Sequence, residues 1–485
     1  MNRAPLLIGA VVALLLAMVA GMASADTQPQ PVPAPAAIDT SWHTFLGADP
    51  AGSDDDQGHG VTVDSAGYAY LVGQSNDGDW GSSPIVSYTF GLDGFVAQLD
   101  SDGDLLWHTF LGGSETDAAH AIAVDSADNL LVVGTSNGGT WSTVPISNAH
   151  GARDVLVAKF NTGGARQWFT FVGTSAEEFG EAIAVDGGGN IYAAGHSGPN
   201  PYLAKLNSAG EFQWQRVITS TSGDLGYAYG VAADQSGGVY LTGYSNYDDW
   251  YGAPAPVRPH SGYAGQSDAF VAKFDGDDGA LLWHTFLGAA DCEDQGHAVV
   301  VQTTVPTPAI YIAGWSADGW GTPVRPHAGG RDALVAQLNG DDGTLVWHTF
   351  MGNGTYGDEA HAIALDGTEL LFVSGDSRSG WGLPVIPHPG GTTGDAAFVA
   401  ALSADGEFRG HTFMGGASSG DTASGIAVSD QGGIYVSGAS SAAWANLDWG
   451  APVRAFSGSQ DAFAAGLGAQ SVVRYWTYLP ITLKQ

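Results

Sequence analysis

One short pattern recurs along this 485-residue chain and limits what the chain can fold into. Its clear form, Trp-x-Thr-Phe, begins at Trp42, Trp107, Trp168, Trp283 and Trp347. Weaker copies begin at Trp214 and Gly410, so that seven copies follow one another at intervals of 46 to 69 residues. A period of this size, made of short strand-like segments, indicates a repeat architecture.

Each repeat is predicted to form four short β-strands. In the second copy these are residues 107–110, 120–125, 130–136 and 154–160, which are rich in β-formers and bounded by Gly, Asp or Asn. The segment at 120–125 is apolar on both faces and small on one, which suits the crowded centre of a ring. We therefore name it strand a, the two that follow it b and c, and the Trp-x-Thr-Phe segment the outer strand d. Four strands joined by hairpins form one propeller blade.

The counts of the strands predict how the ring closes. Strand b ends in Gly-x-Ser seven times, at Ser75, Ser136, Ser197, Ser245, Ser316, Ser377 and Ser440. The first d segment, residues 42–45, precedes any strand a, and the last blade has no d segment of its own. We therefore predict an all-β fold, a seven-bladed propeller of four-stranded blades in which the N-terminal strand completes the last blade and removes a free sheet edge.

The chain is predicted to have four parts: a signal peptide (1–25), a Pro-rich linker (26–40), the propeller (41–469) and an aromatic C-terminal tail (470–485). Arg3, the apolar run at 6–20 and the small residues at 23–25 are typical of a cleaved secretory signal. The alternative, a membrane anchor, would need about 20 apolar residues. The tail is expected either to pack as an extra strand or to serve in attachment or sorting.

Composition narrows the partners. Fifty Asp and Glu stand against 15 Lys and Arg, which gives a formal net charge of −35. This balance argues against binding nucleic acid or an anionic membrane surface and leaves cations as natural small partners. Cys292 is the only cysteine, so packing must supply the stability that a disulfide would otherwise add. We expect a monomer, secreted or held at the cell surface, with no membrane span after signal cleavage.

The repeats resemble the SBBP family of β-propeller repeats. The segments that carry the resemblance are residues 268–274 (Asp-Ala-Phe-Val-Ala-Lys-Phe), 283–288, 309–314 and 320–323. The resemblance implies a propeller of an exported bacterial protein and carries no agreed catalytic residues. The third blade departs from it, because Ser197-Gly-Pro-Asn-Pro201 replaces a long b–c loop, and the fifth departs at residues 301–308.

A candidate metal site lies before strand a. One Asp stands there in five blades and is predicted to face one mouth of the central channel: Asp56, Asp117, Asp294, Asp358 and Asp421. A ring of carboxylates can hold Ca²⁺ or another hard cation. The alternative is that each Asp caps the backbone of its own loop. His residues that recur beside strand a and in strand d are expected to be blade packing.

A candidate recognition surface lies in the loops between strands b and c. Six of them carry tryptophan: Trp80, Trp141, Trp250, Trp320, Trp381 and Trp449. Recurrence favours packing of each loop onto its own blade. The aromatic cluster Tyr244, Tyr247, Trp250 and Tyr251 in the fourth blade is the predicted ligand-binding patch, because such rings stack on sugars or grip a protein.

The functional hypothesis is a non-catalytic binding or scaffold propeller with an unknown protein or carbohydrate ligand, acting in adhesion, envelope assembly or recognition. The alternative is a propeller enzyme, either a quinoprotein-like oxidoreductase or a carbohydrate-active one. The first is favoured because the polar residues recur from blade to blade, whereas enzymatic propellers place unlike residues at one mouth.

Overall fold

The computed structural model describes residues 42–47, 55–78, 83–89, 91–223, 225–261, 266–290, 292–305, 307–354, 356–367, 370–390, 394–416, 420–444, 451–457 and 459–468. Contacts divide the chain into residues 1–37 and 38–485, and every described residue belongs to the second unit. The predicted signal, linker and tail lie outside the described residues.

The described residues form β-strands and no helix. In chain order the strands are β1 Trp42–Leu46, β2 Gln57–Val63, β3 Ala69–Ser75, β4 Asp93–Leu99, β5 Leu105–Leu111, β6 Asp117–Val124, β7 Leu130–Ser136, β8 Asp154–Phe160, β9 Arg166–Val172, β10 Glu178–Val185, β11 Ile191–Ser197, β12 Asn200–Leu206, β13 Phe212–Val217, β14 Ala228–Ala233, β15 Gly238–Ser245, β16 Asp268–Asp275, β17 Leu281–Leu287, β18 Asp294–Gln302, β19 Ala309–Ser316, β20 Asp332–Asn339, β21 Leu345–Met351, β22 Asp358–Leu365, β23 Leu370–Ser377, β24 Ala396–Ser403, β25 Phe408–Met414, β26 Asp421–Val428, β27 Gly433–Ser440 and β28 Asp461–Gly468.

These strands form seven four-stranded antiparallel sheets, which confirms the predicted all-β, seven-bladed propeller. Six blades are consecutive, from β2–β5 to β22–β25, and the seventh has the order β1-β28-β27-β26. The first strand of each sheet contacts the first strand of the next, and β2 contacts β26, which closes the circle. Strand a is therefore innermost, as its small apolar residues indicate.

The N-terminal strand completes the last blade. β1 pairs with β28 from Trp42 opposite Gly466 to Leu46 opposite Ala462, and its side chains are buried. This pairing is the predicted closure. The Trp-His-Thr-Phe strand is apolar enough to be buried on both faces, and the last blade has no outer strand of its own, so β1 fills the open edge of β28.

In six of the seven described outer strands, a Trp links its blade to the next. The Trp42 indole N–H donates to the Ser101 carbonyl at 2.8 Å, and Trp107 does the same to Thr162 at 3.1 Å. The indole ring of Trp42 also packs on Gly103, which lies in the same hairpin as Ser101, between strands c and d of the first blade. A Cβ on Gly103, whose φ is +84°, would approach the Trp42 ring to 2.5 Å. The hairpin glycine and the Trp therefore recur together.

The core lies between blades. One cluster joins Tyr70 and Val72 of the first blade to Ile122 and Leu156 of the second. Similar clusters join each later pair, including the last blade to the first. Each blade thus buries its faces only against its neighbours, which is the energetic reason for a closed ring.

Six of the b–c loops cross back over the outer strand of their own blade. In the first blade the Ile85 N–H donates to the His108 carbonyl at 3.0 Å, and the Phe110 N–H donates to the Val86 carbonyl at 3.1 Å. We call such a two-residue segment, which runs parallel to strand d, a clasp. The third blade has none, because a tight hairpin joins β11 to β12. This is the departure that the sequence predicts there.

Candidate functional site at one mouth of the channel

The five predicted Asp residues stand at or next to the start of strand a, one in each of five blades, and are fully buried. Four accept a hydrogen bond from the backbone of their own d–a loop. The donors are Gly113 N–H to Asp117 at 2.7 Å, Ala289 N–H to Asp294 at 2.9 Å, Asn353 N–H to Asp358 at 2.9 Å and Gly416 N–H to Asp421 at 2.9 Å. These four therefore cap the backbone of their own loops, which is the alternative that the sequence left open beside a metal site.

The same carboxylates bond the serine that ends strand b. The hydroxyl groups of Ser316, Ser377 and Ser440 donate to Asp294, Asp358 and Asp421 respectively. Burial raises the pKa of Asp117, Asp294 and Asp358 to about 7. Within the described ranges, no group of three or more His, Cys, Asp or Glu is arranged to hold a metal ion. Calcium binding stays a prediction.

A second ring of residues lies three positions after these Asp residues. Every strand a has a bulge at this point, so that one residue is left without a partner on strand b. The bulged residues are His59, His120, Glu181, Tyr229, His297, His361 and Ser424. Several of their side chains meet those of a neighbouring blade: the His59 and His120 rings are 5.2 Å apart, and the His297 and His361 rings are 5.4 Å apart.

Hydrogen bonds between blades orient the imidazoles. Nδ1 of His59 donates to the Ala119 carbonyl at 3.1 Å, and Nδ1 of His120 donates to the Gly180 carbonyl at 2.8 Å. Burial and the neighbouring His120 lower the pKa of His59 to about 4. Burial also disfavours the charged form of His120, but the adjacent Glu181 carboxylate outweighs it and raises the pKa. His120 and Glu181 thus form one carboxylate–imidazole pair, next to His59, whose pKa is lowered.

A second carboxylate–imidazole pair lies in the sixth blade. Nε2 of His361 is 2.5 Å from Oδ1 of Asp376, and its Nδ1 is 3.2 Å from Nδ1 of His297. The Asp376 carboxylate raises the pKa of His361 against the effect of burial, while burial and His361 lower the pKa of His297 to about 3. The two shifts run in opposite directions, so His361 takes up a proton more readily than His297 does.

The middle residue of Gly-x-Ser faces the same mouth and differs in every blade. In order it is Gln74, Thr135, His196, Tyr244, Trp315, Asp376 and Ala439. The residue opposite it on strand a also varies: Gln57, Ala118, Phe179, Tyr227, Gln295, Glu359 and Thr422. The Gly and Ser on either side of the first set do not vary. We call these two sets of equivalent positions the varied columns, because they differ between blades that are otherwise repeated.

In the third and fourth blades the varied residues form an aromatic arc. The His196 ring stacks between Phe179, with centroids 4.4 Å apart, and Tyr227 at 4.0 Å. Tyr227 meets Tyr244 edge-on at 5.4 Å. Tyr229 continues the arc towards the fifth blade, with its ring 5.2 Å from that of His297.

Beside the arc lies a cavity of about 440 Å³, lined by Tyr229, Glu293, Gln295, His297, Trp315, Arg331, Glu359 and His361. Nη1 of Arg331 is 2.5 Å from Oε1 of Glu359, and its guanidinium carbon lies 3.9 Å above the Trp315 ring. The wall thus offers carboxylate and carboxamide acceptors, guanidinium and imidazole donors, and an aromatic face.

The structure does not bring the four predicted fourth-blade residues together as one surface. Trp250 is only 4% exposed; its ring stacks on His284 with centroids 4.6 Å apart and its N–H donates to the Tyr247 carbonyl at 3.1 Å. Tyr251 is 78% exposed. Tyr244 points instead into the aromatic arc.

The other loop tryptophans pack as Trp250 does. Trp141, Trp320 and Trp381 stack on the second residue of strand d, with centroids 4.6, 3.8 and 3.9 Å apart. Trp80 and Trp449 lie outside the described residues. In the last blade Trp444, which sequence reasoning missed, stacks on His43 at 4.8 Å.

Sequence reasoning also missed most of the mouth. Recurrence along the sequence argues against function, and on that ground the histidines before strand a are all predicted to be packing residues. The informative signal is variation instead of recurrence. A position that changes from blade to blade while its neighbours stay the same is a candidate for function. Glu181 and Tyr229 interrupt the histidine column, and the middle residue of Gly-x-Ser never repeats.

Comparison with known proteins supports the resemblance. The sequence profile of the beta-propeller repeat family, SBBP, matches residues 41–79 and 106–139. A curated relative, "Regulatory protein FlaEY" of Caulobacter vibrioides, is 27% identical over 354 residues, which cover 66% of this chain and 35% of the relative. "Uncharacterized WD repeat-containing protein L264" of Acanthamoeba polyphaga mimivirus is 23% identical over 244 residues, 39% of this chain and 17% of that protein.

The chain thus spans about a third or less of the length of these relatives. Among solved structures, a protein of unknown function from Dyadobacter fermentans is 11% identical with a TM-score of 0.42, over 89% of this chain and 98% of that one. The match to the beta-propeller repeat family agrees with the propeller fold, and such a fold suggests a binding or scaffold module.

Proposed function

We propose that this chain is a non-catalytic binding propeller that captures a hydroxyl-rich ligand, of the carbohydrate class, at the channel mouth. The observation that carries the proposal is the convergence of the varied columns on one mouth, around the cavity beside Tyr229. Of the varied positions, Gln295, Trp315 and Glu359 line this cavity, and those of the third and fourth blades form the aromatic arc beside it.

The chemistry of the wall supports a sugar. Sugar hydroxyls both donate and accept hydrogen bonds, and the cavity offers the acceptors Glu359 and Gln295 next to the donor Arg331. Apolar sugar faces pack on aromatic rings such as that of Tyr229. A concave site with few polar groups at fixed positions is the usual form of a small-molecule site.

A glycan array probed with the labelled full chain tests the proposal, followed by calorimetry on the best ligand. Tyr229→Ala and Glu359→Gln should each weaken binding at least tenfold. Gln235→Ala, in a second cavity of about 310 Å³ at the other end of the strands, is the matched control and should change nothing. Retention of no glycan, or binding that survives both mouth variants, would refute the proposal, and capture of peptides alone would replace the sugar with a protein ligand.

We also propose that the protein is exported to the medium or the cell surface, in line with a role in adhesion, envelope assembly or recognition. Support comes from Arg3, the apolar run and the small residues at 23–25. In the described part of the chain, no helix is long and apolar enough to cross a bilayer. N-terminal sequencing of the protein recovered from culture should begin near Asp26; a start at Met1 would contradict cleavage.

A further inference from the structure

β13 is the one outer strand in the described part of the chain that no clasp covers. Phe212 and Val217 at its ends are 51% and 37% exposed. In the clasped blades the residue that corresponds to Val217 is buried: Phe110 is 1% exposed and Phe286 is 0% exposed. The third blade therefore presents an open sheet edge where the other six do not.

The register identifies the backbone groups on this edge. Gln215 lies opposite Ala204 of strand c, as His108 lies opposite Ala97 in the first blade. The Gln215 carbonyl and the Val217 N–H thus hold the places of the two groups that bond the clasp there. Nη1 of Arg216 donates to the Gln215 carbonyl at 2.9 Å, so an added strand must use the second lone pair of this oxygen or displace that exposed side chain. An exposed row of such backbone groups is a template for adding a strand.

The six clasps share a sequence, Pro followed by Val or Ile. The copies are 84–86, 145–147, 256–258, 323–325, 384–386 and 452–454. Two begin with Trp four residues before the Pro: Trp80-Gly-Ser-Ser-Pro84 and Trp141-Ser-Thr-Val-Pro145. Each of the six clasps donates its Val or Ile N–H to the outer strand, at 2.8 to 3.0 Å.

A further copy of this pattern stands in the C-terminal tail. Residues 476–482 read Trp-Thr-Tyr-Leu-Pro-Ile-Thr, beside Trp-Ser-Thr-Val-Pro-Ile-Ser at 141–147. The chain therefore has seven outer strands and seven clasp sequences, with one of each left over. The tail from 470 to 485 holds Arg474 and Lys484 and no acidic residue, which complements the acidic body.

We propose that residues 476–482 of a neighbouring copy bind along β13 and supply the clasp that the third blade lacks. The Ile481 N–H then donates to the Gln215 carbonyl, and the Val217 N–H donates to the Thr482 carbonyl, in the parallel arrangement of the other six. Gln215 stands where Trp rings elsewhere stack on His or Phe, so this clasp has a weaker platform and is reversible.

The reach of the tail favours a neighbour over the same chain. The third blade lies three blades from the last, almost across the ring. Pro480 is twelve Cα-to-Cα steps from Gly468, which span at most about 43 Å when fully extended. With strands about 4.8 Å apart, β28 lies about 10 Å and β13 about 14 Å outside the innermost strands. Binding in the same chain would thus use more than half of the reach of the tail, about 24 of about 43 Å, before the width of the channel is added.

The contact joins a tail to a blade, so it links copies head to tail into chains or rings. It departs from the expected monomer and is independent of ligand binding at the mouth.

Light scattering over a concentration series tests this assembly. The full chain should gain mass with concentration, whereas a chain ending at Gly468 and the variant Val217→Pro should stay monomeric. Proline is tolerated on an edge strand when its N–H would face outwards, so Val217→Pro removes the donor and keeps the blade. Val217→Ala keeps the donor and is the matched control, which should associate as the full chain does.

A mixture of the shortened chain and the Val217→Pro variant gives the decisive test. The chain ending at Gly468 has an open edge and no tail, and Val217→Pro has a tail and no usable edge, so a mixture should form one-to-one dimers that neither forms alone. A labelled peptide of residues 474–485 should bind the shortened chain and lose at least tenfold in affinity when Ile481 is N-methylated.

Three results would overturn the proposal. One is a full chain that stays monomeric with no peptide binding to the shortened chain. Another is a monomeric full chain whose shortened form binds the peptide, which would assign the edge to the tail of the same chain. The third is equal peptide binding by the shortened chain with and without Val217→Pro.

Discussion

The closure of the ring by β1 predicts a specific cost for Phe45→Ala. The Phe45 ring is 1% exposed and meets His43, Trp444 and Phe456 edge-on with centroids 5.5 to 5.6 Å away. Replacing a buried Phe with Ala costs about 3–5 kcal/mol. Phe413 is the matched control, because it holds the same position in the sixth blade, is 0% exposed and also meets its His and Trp neighbours edge-on.

If the ring is closed by β1 as firmly as any blade is closed, both substitutions should lower the free energy of unfolding by the same 3–5 kcal/mol. The entropy of unfolding is about 2.1 cal/mol/K per residue, or about 0.9 kcal/mol/K for a propeller of this size. The expected fall in Tm is therefore only about 3–6 °C. Urea titration followed by tryptophan fluorescence, together with calorimetry, measures both quantities.

A loss below about 1 kcal/mol for Phe45→Ala, beside 3–5 kcal/mol for Phe413→Ala, would refute the closure argument. That result would mean that β1 detaches at little cost and that the blades are stable as an open arc. Deleting residues 26–47 should then leave Tm unchanged, whereas a true closure predicts a marked fall.

Further expectations concern the carboxylates, the loops and calcium. The pKa of Asp358 is raised to about 7, so its contribution to stability is full below about pH 4 and is lost as pH rises through 7. Relative to wild type, the free energy of unfolding of Asp358→Asn should therefore rise by up to about 4 kcal/mol between pH 4 and pH 8 in denaturation curves. A difference that does not change with pH would contradict this. Trp250→Ala should cost about 3–5 kcal/mol while the exposed Tyr251→Ala stays within about 0.5 kcal/mol, and equal effects would contradict the packing of Trp250. Removing calcium with a chelator should change stability by less than about 1 kcal/mol if the buried Asp residues are structural, and a large calcium-dependent rise in Tm would instead establish a metal site.

The architecture could be predicted almost entirely because it is local and repeated. Trp-x-Thr-Phe, Gly-x-Ser and the hairpin turns each specify a strand or its end, and counting them yields seven blades. Residues 42–45 precede any strand a, so the only blade that they can complete is the last, and this closes the ring. The short hairpin at Ser197 likewise predicts that the third blade differs from the others, and this is the blade without a clasp.

The candidate site depends on the tertiary structure. The bulge on each strand a decides which residue turns inwards, and the closed ring decides that Glu181 meets His120 and that His297 meets His361. Trp250 and Tyr251 are adjacent in sequence, yet one is buried against His284 and the other is exposed. Sequence alone determined the blades, since strand and turn preferences act over a few residues; the ring decided the mouth, because its contacts join residues about sixty positions apart.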